Sequence, residues 1–179
     1  GIDNSYKLIK LAKEKYGPQN FQFSPASPSE AGRAIFNFQF LVCDLLELDK
    51  LPLQKFDYIF CVAVLHHIPG EDLRLKALEN LKEKLADNGR IILSNWNLWS
   101  RPKFRRLIFK FWLLKLIGKN KMNFGDILFD WKDSKGKAIS QRYYHTFTAC
   151  KLKNIIKKAG LNIEKIYKDK YNYYAILSK

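Results

Sequence analysis

Three stretches of the chain hold the side chains able to do chemistry. The first is Gly1-Ile2-Asp3-Asn4-Ser5. A carboxylate at the carboxyl end of a parallel strand offers two acceptor oxygens and can take both hydroxyls of a ribose; Asp3 could equally cap the helix that follows. Cys43-Asp44-Leu45 follows the next apolar run, where a nucleoside base could meet Asp44. The competing reading of Asp44 is a solvated loop acid. The third stretch, FDYIFCVAVLHHIP over residues 56–69, is a buried strand emptying into His66 and His67. Open α/β sheets bind ligands beyond the carboxyl ends of their strands.

Adjacent residues on an extended chain point opposite ways. One histidine of the pair should therefore pack beneath the sheet end and the other should face a pocket. Nothing nearby supplies a metal ligand set, so no metal is expected. Further along, Arg142-Tyr143-Tyr144-His145 joins a bidentate cation to aromatic rings. Arginine suits a carboxylate or phosphate, and tyrosine can stack on a splayed base. The alternative is a strand with one tyrosine in the core and one outside.

These residues need elements to hold them. Residues 1–3 read as the end of a strand. Ser5 caps a helix over 6–15 with Leu8, Ile9 and Ala12 on its apolar stripe, and Gly17-Pro18 ends it. Residues 17–35 form a long connection, and Phe38–Cys43 and Phe56–Val64 are buried strands. Pro69-Gly70-Glu71-Asp72 then opens a helix through Ala86, with Leu73, Ala77, Leu81 and Leu85 at every fourth residue and Leu78 beside them, closed by Asn88-Gly89. Arg90–Asn95 is the next strand. Residues 101–117 are a helix apolar nearly all round, with Trp99, Phe104 and Trp112 as anchors, and 118–141 are loop-like. Thr148 caps a helix to Ala159, and Ile163–Tyr167 with Tyr171–Leu177 close the chain as an antiparallel hairpin. The alternation predicts one α/β domain with a mostly parallel sheet and an antiparallel last strand.

Charge divides the chain of 179 residues. Residues 1–95 hold 12 basic and 12 acidic residues, and 96–179 hold 20 and 5, so the whole net charge of +15 lies in the second half. A charge confined to one half points to a face that meets an anion, nucleic acid or a membrane surface. No apolar run reaches the ~18 residues of a membrane span. Three distant cysteines fit neither a metal nor a disulfide pattern, which favours a reducing, cytoplasmic setting.

The order GIDNS, D-L, FDYIFCVAVLHHIP, helix, NGRIILSNW resembles the class I S-adenosylmethionine-dependent methyltransferases from their second strand onward. The tail ILFDWKDSKGKAISQRYYHTFTACKLKNIIKKAG is similar to that of the tRNA wobble-uridine methyltransferases, which esterify 5-carboxymethyluridine. The resemblance implies a Rossmann-like fold and S-adenosylmethionine as cofactor, held by Asp3, Asp44, Leu45, Cys61 and Val62. It implies tRNA as partner, a small activator subunit as a further candidate partner, and catalytic roles for His67, Arg142, Tyr144 and His145. It divides the domain into a cofactor half (1–95), a basic aromatic insertion (96–147) and a closing helix and hairpin (148–179), and within the insertion it makes 101–121 a basic aromatic lid whose Lys and Arg contact tRNA phosphates, the alternative being a cover helix with solvated charges. A carboxylate nucleophile is already ionised at pH 7, so His67 would orient it; for a hydroxyl or ring nitrogen it would be a general base. The family's Gly-rich loop, first strand and first helix have no counterpart, so a chain truncated at its amino end is expected. Two other readings compete: a methyltransferase for a lipid or quinone with 101–117 lying on a membrane, and a catalytically silent fragment that binds RNA or a partner.

Overall fold

The computed structural model describes residues 1–17, 39–52 and 54–179. They form two compact units, Gly1–Leu51 and Pro52–Lys179.

In the first unit, β1 (Ile2–Asp3) pairs in parallel with β2 (Leu41–Val42), Asp3 opposite Val42. Between them in sequence lies α1 (Tyr6–Tyr16), whose first turn is capped by the Ser5 hydroxyl accepting from Leu8 N at 3.4 Å. Only Ile9 of the expected stripe is buried, and Leu8 stays 56% exposed. A ladder of two residue pairs offers little apolar area for a helix to cover. Described strand pairing in the 38–43 run is confined to Leu41–Val42; Phe38 and the connection beyond Gly17 lie outside the described residues.

The second unit contains β3 (Phe56–Val62), α2 (Glu71–Glu83), β4 (Leu85–Trp96), α3 (Pro102–Leu116), β5 (Asp126–Lys132), β6 (Ala138–His145), α4 (Ala149–Lys158), β7 (Asn162–Lys168) and β8 (Asn172–Ser178). Its main sheet has the order β3-β4-β8-β7. The β3–β4 ladder is parallel, and the carboxyl-terminal hairpin adds two antiparallel ladders, so the sheet is mixed. Ile91, Leu93 and Asn95 of β4 and Tyr173, Ala175 and Leu177 of β8 are buried at period two, as a half-covered sheet requires.

Four expectations are corrected here. α2 ends at Glu83, and Asn88-Gly89 lies in β4 rather than closing the helix. The register jumps from Phe56↔Leu85 to Tyr58↔Arg90, and a side chain at Gly89 would stand 2.9 Å from the Phe56 carbonyl oxygen, which only glycine avoids. Second, the inward face of α2 is Arg74, Ala77, Leu78 and Leu81, while Leu73 is 41% exposed. Third, residues 126–132 and 138–141, expected as loop, belong to the β5–β6 hairpin. Fourth, α3 is anchored by Phe104 and Ile108, packed with Leu98, Ile127 and Tyr144; Trp99 packs against that cluster, but Trp112 is 48% exposed. Among the described residues no helix is long and apolar enough to cross a membrane.

Candidate active site

β3 delivers the histidines through a strained turn. Ala63 has φ +56, a left-handed conformation that costs a non-glycine residue about 1–2 kcal/mol. Its N–H is held by Ser94 of β4, at 3.0 Å from the carbonyl and 3.2 Å from the hydroxyl. The chain then makes a short 3-10 turn, Leu65–His67, so the pair is not extended and does not point opposite ways as expected: the two rings lie side by side, with centroids 4.4 Å apart. His66 is fully buried and His67 is exposed.

His66 Nδ1 lies 3.3 Å from Asn95 Oδ1, while His66 Nε2 and Asn95 Nδ2 are buried without a partner. Burial, reinforced by His67, pushes the His66 pKa down to about 4 against the Asn95 hydrogen bond. It is a neutral ring in the core, stacked between Trp96 at 5.0 Å and Tyr144 at 5.6 Å. His67 sits 4.6 Å from the Tyr144 ring, its pKa lowered by burial and by the Arg142 charge, with a backbone hydrogen bond to Tyr143 pulling the other way.

β6 sorts the remaining candidates by alternation. Arg142 and Tyr144 share the face that meets His67, and Tyr143 and His145 take the opposite face. Arg142 is exposed and lies 3.7 Å over the Trp131 ring. Tyr144 is fully buried, so its expected stacking on a substrate base is corrected: it packs beneath His67 and against Trp96. Trp131 is partly exposed, and the Arg142 guanidinium covers its ring.

His145 belongs to a different network. Its Nδ1–H donates to Asp126 Oδ1 at 2.6 Å, and both residues are buried. Burial lowers the His145 pKa, outweighing the Asp126 hydrogen bond. Burial works to raise the Asp126 pKa, but hydrogen bonds from His145, Tyr143 and Asn123 N prevail and hold it low. Arg74, 2% exposed, donates to the Ile68 carbonyl at 2.8 Å and to the Tyr143 hydroxyl at 3.1 Å; its Nε has no partner. The Tyr143 pKa rises to about 12 through burial and its bond to Asp126. Arg74 and His145 line a cavity of ≈ 510 Å³ with Asn123, Lys151 and Asn154. Sequence reasoning missed Arg74 and Asp126. Arg74 left a signal, a charge in the 74-77-78-81 row of an apolar helix face.

The expected cofactor residues are placed as follows. In the first unit, Asp3 ends β1 and its Oδ1 accepts from Ser5 N at 2.7 Å. Asp44 lies two residues past β2 and its Oδ1 accepts from Leu46 N at 2.9 Å, capping the 3-10 turn Leu45–Lys50. Both acids stand at the carboxyl edge of two paired parallel strands. In the second unit, Cys61 is buried with its thiol pKa pushed up to about 12 by burial, so only its backbone is on offer, and Val62 is 62% exposed.

A family model described as a methyltransferase domain matches residues 1–166. The chain belongs to that family. It is 26% identical over 145 residues to a tRNA (carboxymethyluridine(34)-5-O)-methyltransferase of Schizosaccharomyces pombe, covering 72% of this chain and 59% of that protein. It is 25% identical over 126 residues to an uncharacterized methyltransferase of Staphylococcus carnosus, covering 70% and 52%. The chain thus spans between half and three-fifths of these curated relatives. A solved SAM-dependent methyltransferase of Methanosarcina mazei superposes with a TM-score of 0.71 at 17% identity, over all of this chain and 80% of that one. The fold is therefore the Rossmann-like α/β fold of the methyltransferase family.

Proposed function

We propose that the protein transfers a methyl group from S-adenosylmethionine to a carboxylate carried by a tRNA wobble uridine. The observation that carries the reading is the face where exposed His67 meets Arg142 and its Trp131 platform at the carboxyl end of β3. A guanidinium recognises a carboxylate through paired hydrogen bonds, and the Trp131 ring beneath it holds the guanidinium in place. The likeness to the S. pombe enzyme supports the same acceptor. Exposed Lys135 and Lys137 at the tip of the β5–β6 hairpin suit phosphate contacts that position RNA without reading its sequence.

The cofactor fits the first unit's acids. Asp3 and Asp44 each spend one oxygen on a backbone N–H and keep acceptor capacity for ribose hydroxyls and an adenine amino group. Bound there, S-adenosylmethionine supplies an electrophilic methyl on a sulfonium. Arg142 holds the acceptor carboxylate, and neutral His67 orients it by a hydrogen bond. No proton has to be removed, because a carboxylate is ionised at pH 7. Much of the catalysis is positioning.

Steady-state kinetics on tRNA bearing carboxymethyluridine test the assignment. Arg142→Ala is expected to raise KM by about tenfold or more through lost carboxylate binding, with S-adenosylhomocysteine affinity unchanged. An unchanged KM would remove Arg142 from the acceptor site.

A further inference from the structure

α3 carries two apolar faces, and only one of them is used. Phe104, Leu107, Ile108 and Phe111 pack into the core. Phe109, Trp112, Leu113, Leu116 and Ile117 recur at i, i+3, i+4, i+7 and i+8 and are 60%, 48%, 56%, 56% and 55% exposed. At 100° per residue they fill an arc of about 140° on the side away from the core. Phe124, 43% exposed, lies 6.4 Å from Trp112 and extends the patch. Five such side chains in one row are far more than the scattered apolar residues of an ordinary surface.

The surroundings of the row are of one sign. From Trp96 to Gly125 the sequence has eight Lys and Arg and no Asp or Glu. Arg105 and Arg106 precede the row on the same face, Lys103 and Lys110 flank it, and Lys119 and Lys121 follow it, all exposed.

We infer that α3 lies flat on an anionic phospholipid surface, its row of five side chains in the headgroup–acyl boundary and its cations on lipid phosphates. A helix of 15 residues is about 22 Å long, too short to cross the ~30 Å hydrocarbon core, so it lies in the plane. Charge and chemistry exclude the obvious competitors. A second copy would bring the same cations against these ones. RNA offers phosphates and base faces, which suit Arg105 and Trp112 but leave Leu113, Leu116 and Ile117 against water. A lipid surface satisfies both halves of the pattern. The inference is independent of the acceptor: the cations invoked for tRNA are on the β5–β6 hairpin.

Co-sedimentation of the full chain with phosphatidylcholine vesicles, with and without phosphatidylserine, tests it. Binding is expected only with phosphatidylserine, and salt should weaken it. Leu113→Ser with Leu116→Ser should reduce binding by about tenfold or more with an unchanged melting temperature, because both sites face solvent. Quenching by lipids brominated in the acyl chain should report on Trp112 and vanish in Trp112→Phe. No phosphatidylserine-dependent binding would overturn the inference. So would a double variant that binds vesicles normally but loses tRNA affinity, or wild-type chain that dimerises through the row in gel filtration.

Discussion

At the level of single residues, two adjacent histidines of identical chemistry have opposite fates. His66 is neutral because it is sealed between Trp96 and Tyr144, with Asn95 and the Trp96 backbone N–H as its neutral partners. Its folded pKa of about 4 lies below the ordinary 6.5. Between those values the unfolded chain binds more protons, so stability rises with pH there. Its contribution is complete above pH 6.5 and is lost as pH falls to 4, by about 3 kcal/mol at most. Urea unfolding of wild type and His66→Asn across pH 4–7 should show a steeper pH dependence in wild type; equal slopes would refute the assignment. Ala63 is the second singular residue. Its φ of +56 suits glycine and disfavours a β-branched side chain. Ala63→Gly should leave the melting temperature nearly unchanged, while Ala63→Val should cost about 2 kcal/mol or more. Nothing in the sequence marks Ala63, because an alanine in an apolar run carries no sign of the turn it must make. The difference between His66 and His67 was expected, but from the wrong cause: the pair sits in a 3-10 turn with adjacent rings, and packing rather than strand alternation buries one and leaves the other exposed.

Among the elements, β6 does most to arrange the chemistry, and its role was only half legible. The Arg142–His145 motif stands out by residue type, yet its division into two faces required the strand. Residues 118–141 read as loop because their glycines punctuate the sequence and the first five residues of β6 are exposed, leaving no apolar alternation to detect. The paired strands show what holds the motif in place. Arg74 of α2, Tyr143 of β6 and Asp126 of β5 form one buried hydrogen-bonded chain that ends on His145. Asp126→Asn should cost about 3 kcal/mol, since it weakens the buried bonds that the carboxylate accepts from His145 and Tyr143. The same change should slow methyl transfer even under conditions where the protein stays folded, because β6 carries Arg142. A variant of wild-type stability would show that the network is not ionic. Helices were more legible. The Ser5 and Thr148 caps and the Gly160 stop, at φ +66, stand where their residue types place them.

For the whole molecule, charge and family agree on a direction. The first 95 residues are neutral and the last 84 carry the full +15. The neutral half places two acids at the carboxyl edge of paired parallel strands, the place proposed for the nucleoside cofactor. The basic half places an arginine, an indole and an exposed histidine at the end of β3. The Rossmann-like order was legible because β3, β4, α4 and the closing hairpin announce themselves by periodicity and caps, although β5 and β6 do not. The exposed row of α3 was not, since a helix apolar nearly all round gives no hint of which face stays uncovered. The central claim concerns the atom that receives the methyl group. Incubation with methyl-tritiated S-adenosylmethionine and tRNA carrying carboxymethyluridine, followed by mild alkali, reads it directly. The account predicts label on tRNA that alkali releases as methanol, the signature of an ester. Alkali-stable label on the tRNA, or label recovered in the lipid extract instead, would contradict it.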